Sequence, residues 1–74
     1  MIDKTIEIIK SLRPYEQISE DTELIESGIL DSLAVITLIT LLEDEFDVEI
    51  ADDQVTAKNF ATIQDIIRLL EKGI

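Results

Sequence analysis

The chain has 74 residues, 46% of them apolar, enough for one domain with one small core but not for a cofactor cleft plus a catalytic apparatus. It contains no Cys and no His, so disulfides, thiol nucleophiles, imidazole bases and Cys/His metal sites are excluded together. Its net charge of −11 gives a field that repels nucleic acid and anionic lipid and attracts partners carrying Lys and Arg patches.

The charge is unevenly laid out. The basic residues are Lys4, Lys10, Arg13, Lys58, Arg68 and Lys72, and the stretch from Pro14 to Ala57 holds thirteen acidic residues and none that are basic. A solvated, solubilising surface is the plainer reading of such a run. Asp3 and Lys4 stand within the first four residues, so no secretory leader is expected. The longest apolar run, Val35 to Leu42, is interrupted by Thr37 and Thr40 and falls short of the roughly 20 residues that span a bilayer. A cytoplasmic monomer, with neither membrane nor nucleic acid as partner, is the expectation.

Taken in chain order, Ile2, Ile6 and Ile9 share one face of a first helix, with Ile8 and Leu12 beside it. Pro14 ends that helix, because the residue before a proline is pushed out of helical geometry. Tyr15 to Asp31 reads as a long connection, and loops of this length are often functional. Within it Thr22 is expected to cap a short turn over Glu23 to Ser27 that Gly28 closes. Leu24, Ile25, Ile29 and Leu30 anchor the loop to the core.

Ser32 to Phe46 is the ambiguous segment. Its run Val35-Ile36-Thr37-Leu38-Ile39-Thr40 is rich in β-branched residues and reads locally as a strand. Three features favour a helix: Asp31 is a good N-cap, Val35, Leu38, Ile39, Leu42 and Phe46 form a helical stripe, and about 15 residues suit a helix better than a strand. Asp47 to Ile50 then connects, with Val48 and Ile50 pointing inward. Asp52 or Asp53 starts a short third helix to about Lys58. Thr62 caps a last helix, with Asp65 completing a variant of the capping box; Ile63, Ile66, Ile67 and Leu70 form its apolar face, and Gly73 ends it. The predicted architecture is all-α: a small four-helix bundle with a long loop between helices 1 and 2 and a short third helix, in a single domain over residues 1–74.

One place in this architecture invites chemistry. On a helical wheel with Ser32 at the origin, the core stripe centres near 300°, Ile36 falls at about 40°, Thr40 at about 80°, Leu33 at about 100° and Thr37 at about 140°. Leu33 and Ile36 are thus large apolar residues turned away from the core, flanking a serine at a helix start, and mark a docking patch with Thr37 and Thr40. The helix N-terminus favours an attached phosphate on Ser32, and Asp31 beside it can help a transferase bind Mg²⁺. Ser32 has no base of its own, so it reads as a residue modified by another enzyme and not as a nucleophile. The chain is accordingly no enzyme. The acidic cluster Glu43, Asp44, Glu45, Asp47, Glu49, Asp52 and Asp53 lacks the alternating ligands and central Gly of a calcium loop, so no metal site is expected.

An isolated Asp-Ser-Leu is an ordinary N-cap sequence. The longer string says more. Gly28-Ile29-Leu30-Asp31-Ser32-Leu33, then a helix ending Leu42-Glu43-Asp44-Glu45-Phe46, then Val48-Glu49-Ile50 and the lead-in Asn59-Phe60-Ala61-Thr62, resembles the acyl carrier protein family over nearly the whole chain. The resemblance implies a four-helix bundle in which Ser32 carries 4′-phosphopantetheine through a phosphodiester. It implies that the arm's thiol holds acyl or aminoacyl groups as thioesters, which a chain without Cys otherwise lacks the means to do. It also implies partners that read the second helix: a phosphopantetheinyl transferase, and acyl- or aminoacyl-loading and acyl-transfer enzymes with basic docking patches. Ala34 and Thr37 stand where carriers of bacterial fatty acid synthesis usually have acidic residues, Thr40 where a larger apolar residue is common, Asp47 for a frequent Gly and Ala51 for a frequent Pro. A specialised carrier for D-alanine transfer, polyketide or nonribosomal peptide assembly fits these departures at least as well as a general one. The alternative is a carrier-like acidic interaction module with Ser32 unmodified.

Overall fold

In the computed structural model, which describes residues 1–73, three α-helices are joined by long connections: α1 (Ile2–Leu12), α2 (Ser32–Phe46) and α3 (Ile63–Gly73). Helix α1 packs against both α2 and α3. The described residues contain no strand, so the β-branched run in α2 yields to tertiary packing, as local propensity often does.

The all-α class follows the sequence, but the four-helix count does not. The segment expected to form a short third helix to Lys58 is a 3-10 helix of three residues, Asp52–Gln54, followed by turns. Side chains account for the early stop. The Gln54 side-chain oxygen accepts from the Ala51 N–H at 3.0 Å, and the Asn59 amide nitrogen donates to the Gln54 carbonyl at 2.8 Å. Thr56 Oγ1 accepts from the Asn59 N–H at 3.2 Å. The Asn59 amide and the Thr56 hydroxyl thus take up the Gln54 carbonyl and the Asn59 N–H that a continuing helix would pair, the competition expected of Asn and Thr, while the Gln54 side chain caps the start of the turn.

The core is built from Ile9 of α1, Leu38 and Leu42 of α2, Ile63, Ile66 and Leu70 of α3, with Leu24 and Phe60 from the connections. Its helical stripes are rotated slightly from the sequence expectation. On α2 the buried residues are Ala34, Leu38 and Leu42, while Val35, Ile39 and Phe46 are half-buried. On α1 the buried pair is Thr5 and Ile9, and Ile2 is 36% exposed. On α3 Leu69 joins the buried set. Ile18 is a further core residue, from the first loop.

Thr5 is fully buried, and its hydroxyl has no hydrogen-bond partner among the described residues. A buried, unpaired hydroxyl costs about 1–3 kcal/mol of desolvation. Thr5→Val keeps the shape and removes the hydroxyl. It is expected to stabilise the fold by about 1 kcal/mol, read as a higher urea midpoint at unchanged slope.

Helix α2 ends at Asp47, which lies in the left-handed region at φ 52°, ψ 49°. There the Val48 N–H donates back to the Glu43 carbonyl at 3.3 Å, and the Glu43 carboxylate accepts from the Ile50 N–H at 2.9 Å, holding residues 48–50 against the helix end. A Cβ in this conformation costs roughly 1–2 kcal/mol, and a negative charge at a helix C-terminus opposes the macrodipole. Asp47→Gly removes both. A gain of about 1 kcal/mol is expected, seen as a melting temperature raised by about 4–8 °C.

At the start of α3, Thr62 Oγ1 accepts from the Asp65 N–H at 3.2 Å and donates to Asp65 Oδ2 at 3.0 Å. The expected cap is present, with Asp65 reaching the hydroxyl and not the backbone N–H. How the helix closes after Gly73 falls on residue 74, outside the described residues.

Candidate functional site

The loop before α2 is built so that Ser32 begins the helix in the open. The Ser27 N–H donates to the Glu23 carbonyl at 3.1 Å and the Gly28 N–H to the Ile25 carbonyl at 3.1 Å. Gly28 then takes φ 83°, a conformation that glycine adopts without penalty. A Cβ there would meet nothing within 4 Å, so backbone geometry and not crowding accounts for the glycine. The Leu30 N–H returns to the Leu24 carbonyl at 2.9 Å, and the Leu24 N–H donates to the Ala61 carbonyl at 2.7 Å. Leu24, Ile29 and Leu30 are buried. The loop is thereby fixed to the core and to the lead-in of α3. Thr22 does not cap the 23–27 turn: its Oγ1 accepts from the Ser19 N–H at 2.8 Å and so closes the preceding turn.

Asp31 is the N-cap of α2, extended at φ −94°, ψ −179°, and its Oδ1 accepts from the Ala34 N–H at 2.8 Å. Ser32 is the first residue of the helix and is exposed. Capping thus falls to Asp31, and the serine hydroxyl is left free of that duty. Beyond Ser32, Leu33 is 73% and Ile36 61% exposed. Thr37 and Thr40 lie on the same exposed side, and their hydroxyls donate back to the Leu33 and Ile36 carbonyls at 3.2 and 3.3 Å. With those donors engaged by the helix itself, the face offers a partner mainly apolar surface. Ala34, by contrast, is buried. A carboxylate there would be desolvated, so a small apolar residue suits this position.

Two features of the site are not apparent in the sequence. A cleft of about 540 Å³ opens beside Ser32, with apolar walls from Ile25 and Leu30 of the loop, Val35 and Ile36 of α2, and Val55 and Phe60 of the later connection. Its volume is that of a small-molecule pocket. No local pattern marks it, because it needs residues 25–60 to converge. The second is Arg13, which reaches the serine turn from the end of α1: its Nε donates to the Ile29 carbonyl at 3.1 Å, and its Nη2 lies 3.7 Å from Asp31 Oδ2.

The described residues form two ion pairs, Arg13–Asp31 and Arg68–Asp65. Of the thirteen acidic residues between Pro14 and Ala57, only Asp31 has a cationic partner there. No group of three or more Asp and Glu among the described residues is arranged to hold a metal ion, and no described helix is long and apolar enough to cross a membrane. Unpaired like charges repel, and salt screens them over a Debye length of about 10 Å at 0.1 M. Added monovalent salt is therefore expected to raise the melting temperature at neutral pH while slowing association with a basic partner. A melting temperature that falls with salt would mean that these carboxylates are paired or hold a specific cation.

Comparison with known proteins adds independent information. A family model described as a phosphopantetheine attachment site matches residues 4–70. An acyl carrier protein of Thermobifida fusca is 30% identical over 74 residues, covering 97% of this chain and 91% of that protein. Acyl carrier proteins of Sulfurovum sp. and Wolinella succinogenes are 41% and 36% identical over 56 residues, covering 76% of this chain and 72% and 71% of theirs. No solved structure matches significantly.

Proposed function

Because the chain belongs to the acyl carrier protein family, we propose that Ser32 is the residue that bears its 4′-phosphopantetheine, with Asp31 fixing the turn that presents it. Members of this family act as carriers and not as enzymes, with a covalently attached arm as their prosthetic group. Once attached, that arm supplies a thiol on which acyl or aminoacyl groups are held as thioesters.

The observation that carries the assignment to Ser32 is its position. It stands exposed at the first residue of α2, its capping duty is taken by Asp31, and it borders a cleft with apolar walls. The chain's own residues divide the remaining tasks. The start of α2 offers unpaired N–H groups and a partial positive charge to a phosphate at Ser32. Ile25, Val35, Val55 and Phe60 offer apolar surface to a carried acyl group. Leu33, Ile36, Thr37 and Thr40 form the docking face for the phosphopantetheinyl transferase and for loading and transfer enzymes with basic patches. The acidic surface around them steers such partners in.

Residues 1–74 serve as a single carrier domain, a cytoplasmic monomer in this reading, and the 3-10 turn with the turns to Phe60 takes the place of the third helix of a four-helix bundle. With Thr37 in place of a carboxylate and Thr40 in place of a larger apolar residue on the docking face, a specialised acyl or aminoacyl carrier fits at least as well as a general one. The test is intact mass after incubation with coenzyme A, Mg²⁺ and a broad-specificity phosphopantetheinyl transferase. One added arm is expected. A chain that gains no mass would be a carrier-like interaction module with its serine unmodified.

A further inference from the structure

Arg13 lies nineteen residues before Ser32 in the sequence, yet it contacts the turn from which Ser32 emerges. Its Nη1 donates to the Leu12 carbonyl at 3.0 Å, at the end of α1. Its Nε donates to the Ile29 carbonyl at 3.1 Å, and its Nη2 lies 3.7 Å from Asp31 Oδ2. One guanidinium therefore joins the end of the first helix to two points of the turn that starts the second. The two oxygens of Asp31 are divided between this cation and the Ala34 N–H. We propose that Arg13 is a positioning residue for the modification of Ser32: it holds residues 29–31 so that the Asp31 carboxylate stays on its cap and the serine is presented in one orientation. The part of this proposal that concerns modification rests on Ser32 as the attachment residue.

Geometry, more than charge, carries the argument. The pair with Asp31 is long, and both side chains are well exposed, 37% and 65%, so as a surface ion pair it stabilises the fold little. The rigid planar fork of donors is what spans Leu12, Ile29 and Asp31 at once. A lysine keeps the charge, but its single ammonium cannot reproduce that span. Losing the bridge frees the Ile29 carbonyl and leaves the Asp31 carboxylate held by one bond. The effect expected is local, because the loop keeps its backbone bonds from Leu24 to Ala61 and from Leu30 to Leu24. Arg13 also lines a small cleft with Leu33 and Thr37, on the side of α2 away from the apolar cleft. It thus acts on the serine through Asp31.

The test compares wild type with Arg13→Gln and Arg13→Lys in two measurements. The first is amide hydrogen exchange of the unmodified proteins. Exchange at Ala34, whose N–H is bonded to Asp31, is expected to quicken roughly tenfold in both variants, as for a local opening, while exchange at Leu42 in the core stays at the wild-type rate. The second is transferase kinetics: kcat for arm transfer is expected to fall roughly tenfold in both variants with KM for the protein little changed, the signature of a misplaced acceptor. Unchanged Ala34 exchange in both variants, or a lysine variant that behaves as wild type, would overturn the proposal. A wild type that accepts no arm would remove the assignment of Ser32, and Ala34 exchange would still decide whether Arg13 holds the turn.

Discussion

Ser32→Ala is expected to accept no phosphopantetheine at all while folding as well as the wild type. The two halves of this result have separate causes. The hydroxyl is the proposed point of attachment, and no other serine has the same setting: Ser11 lies within α1 with its hydroxyl bonded to the Ile8 carbonyl, Ser19 pairs with Thr22, and Ser27 accepts from the Ile29 N–H. The fold is indifferent because Ser32 is exposed, Asp31 supplies the cap, and alanine is the best helix former. The stability change is expected within about 0.5 kcal/mol. Asp31→Ala offers the contrast. It removes the carboxylate that holds the Ala34 N–H and is expected to cost about 1 kcal/mol of stability. Thermal melts of the two variants beside their intact masses separate a lost acceptor from a lost cap.

The largest loss of stability is expected at Leu42, and it contrasts with its neighbour in type, Ile36. Leu42 is fully buried in the middle of α2, so Leu42→Ala is expected to cost roughly 2–5 kcal/mol through lost burial and the cavity left behind. At roughly 0.05–0.15 kcal/mol per residue, a chain this small holds only about 4–11 kcal/mol in all, so the variant approaches unfolding. Ile36 is 61% exposed, about 120° around the same helix from Leu42. Ile36→Asp is expected to change stability by about 0.5 kcal/mol or less but to weaken engagement by the transferase, because a charge replaces apolar surface on the proposed docking face. Denaturant titrations and modification rates of the two variants form the check. Similar stability losses in both would mean that α2 is rotated from the orientation described.

Large apolar residues at helical spacing and cap residues made most of this fold readable in the sequence. Asp31 and Thr62 cap α2 and α3 as their positions predict, and Leu38, Leu42, Ile63, Ile66 and Leu70 form the core. Most of the misses lack one half of the signal, either hydrophobic character or helical spacing. Thr5 is polar and Ala34 is small, yet both are buried. Ile18 sits alone in a loop with no repeat to betray its burial. The third helix stops short because the Thr56 and Asn59 side chains take backbone groups that a longer helix would pair, a competition that helix spacing does not register. Ser32 was identifiable through the longer string around it, which resembles the acyl carrier protein family, and the outward positions of Leu33 and Ile36 through the helical wheel. The apolar cleft and the reach of Arg13 were not, because both depend on residues brought together only by the folded chain.

The central claim is that the arm is carried on the first residue of α2. Its most direct measurement is fragmentation mass spectrometry of the protein after reaction with coenzyme A and a phosphopantetheinyl transferase, with the added mass located along the chain. The account predicts one phosphopantetheine per molecule, found on every fragment that contains Ser32 and on none that lacks it. Added mass at Ser11, Ser19, Ser27 or a threonine, or none anywhere in the chain, would contradict it.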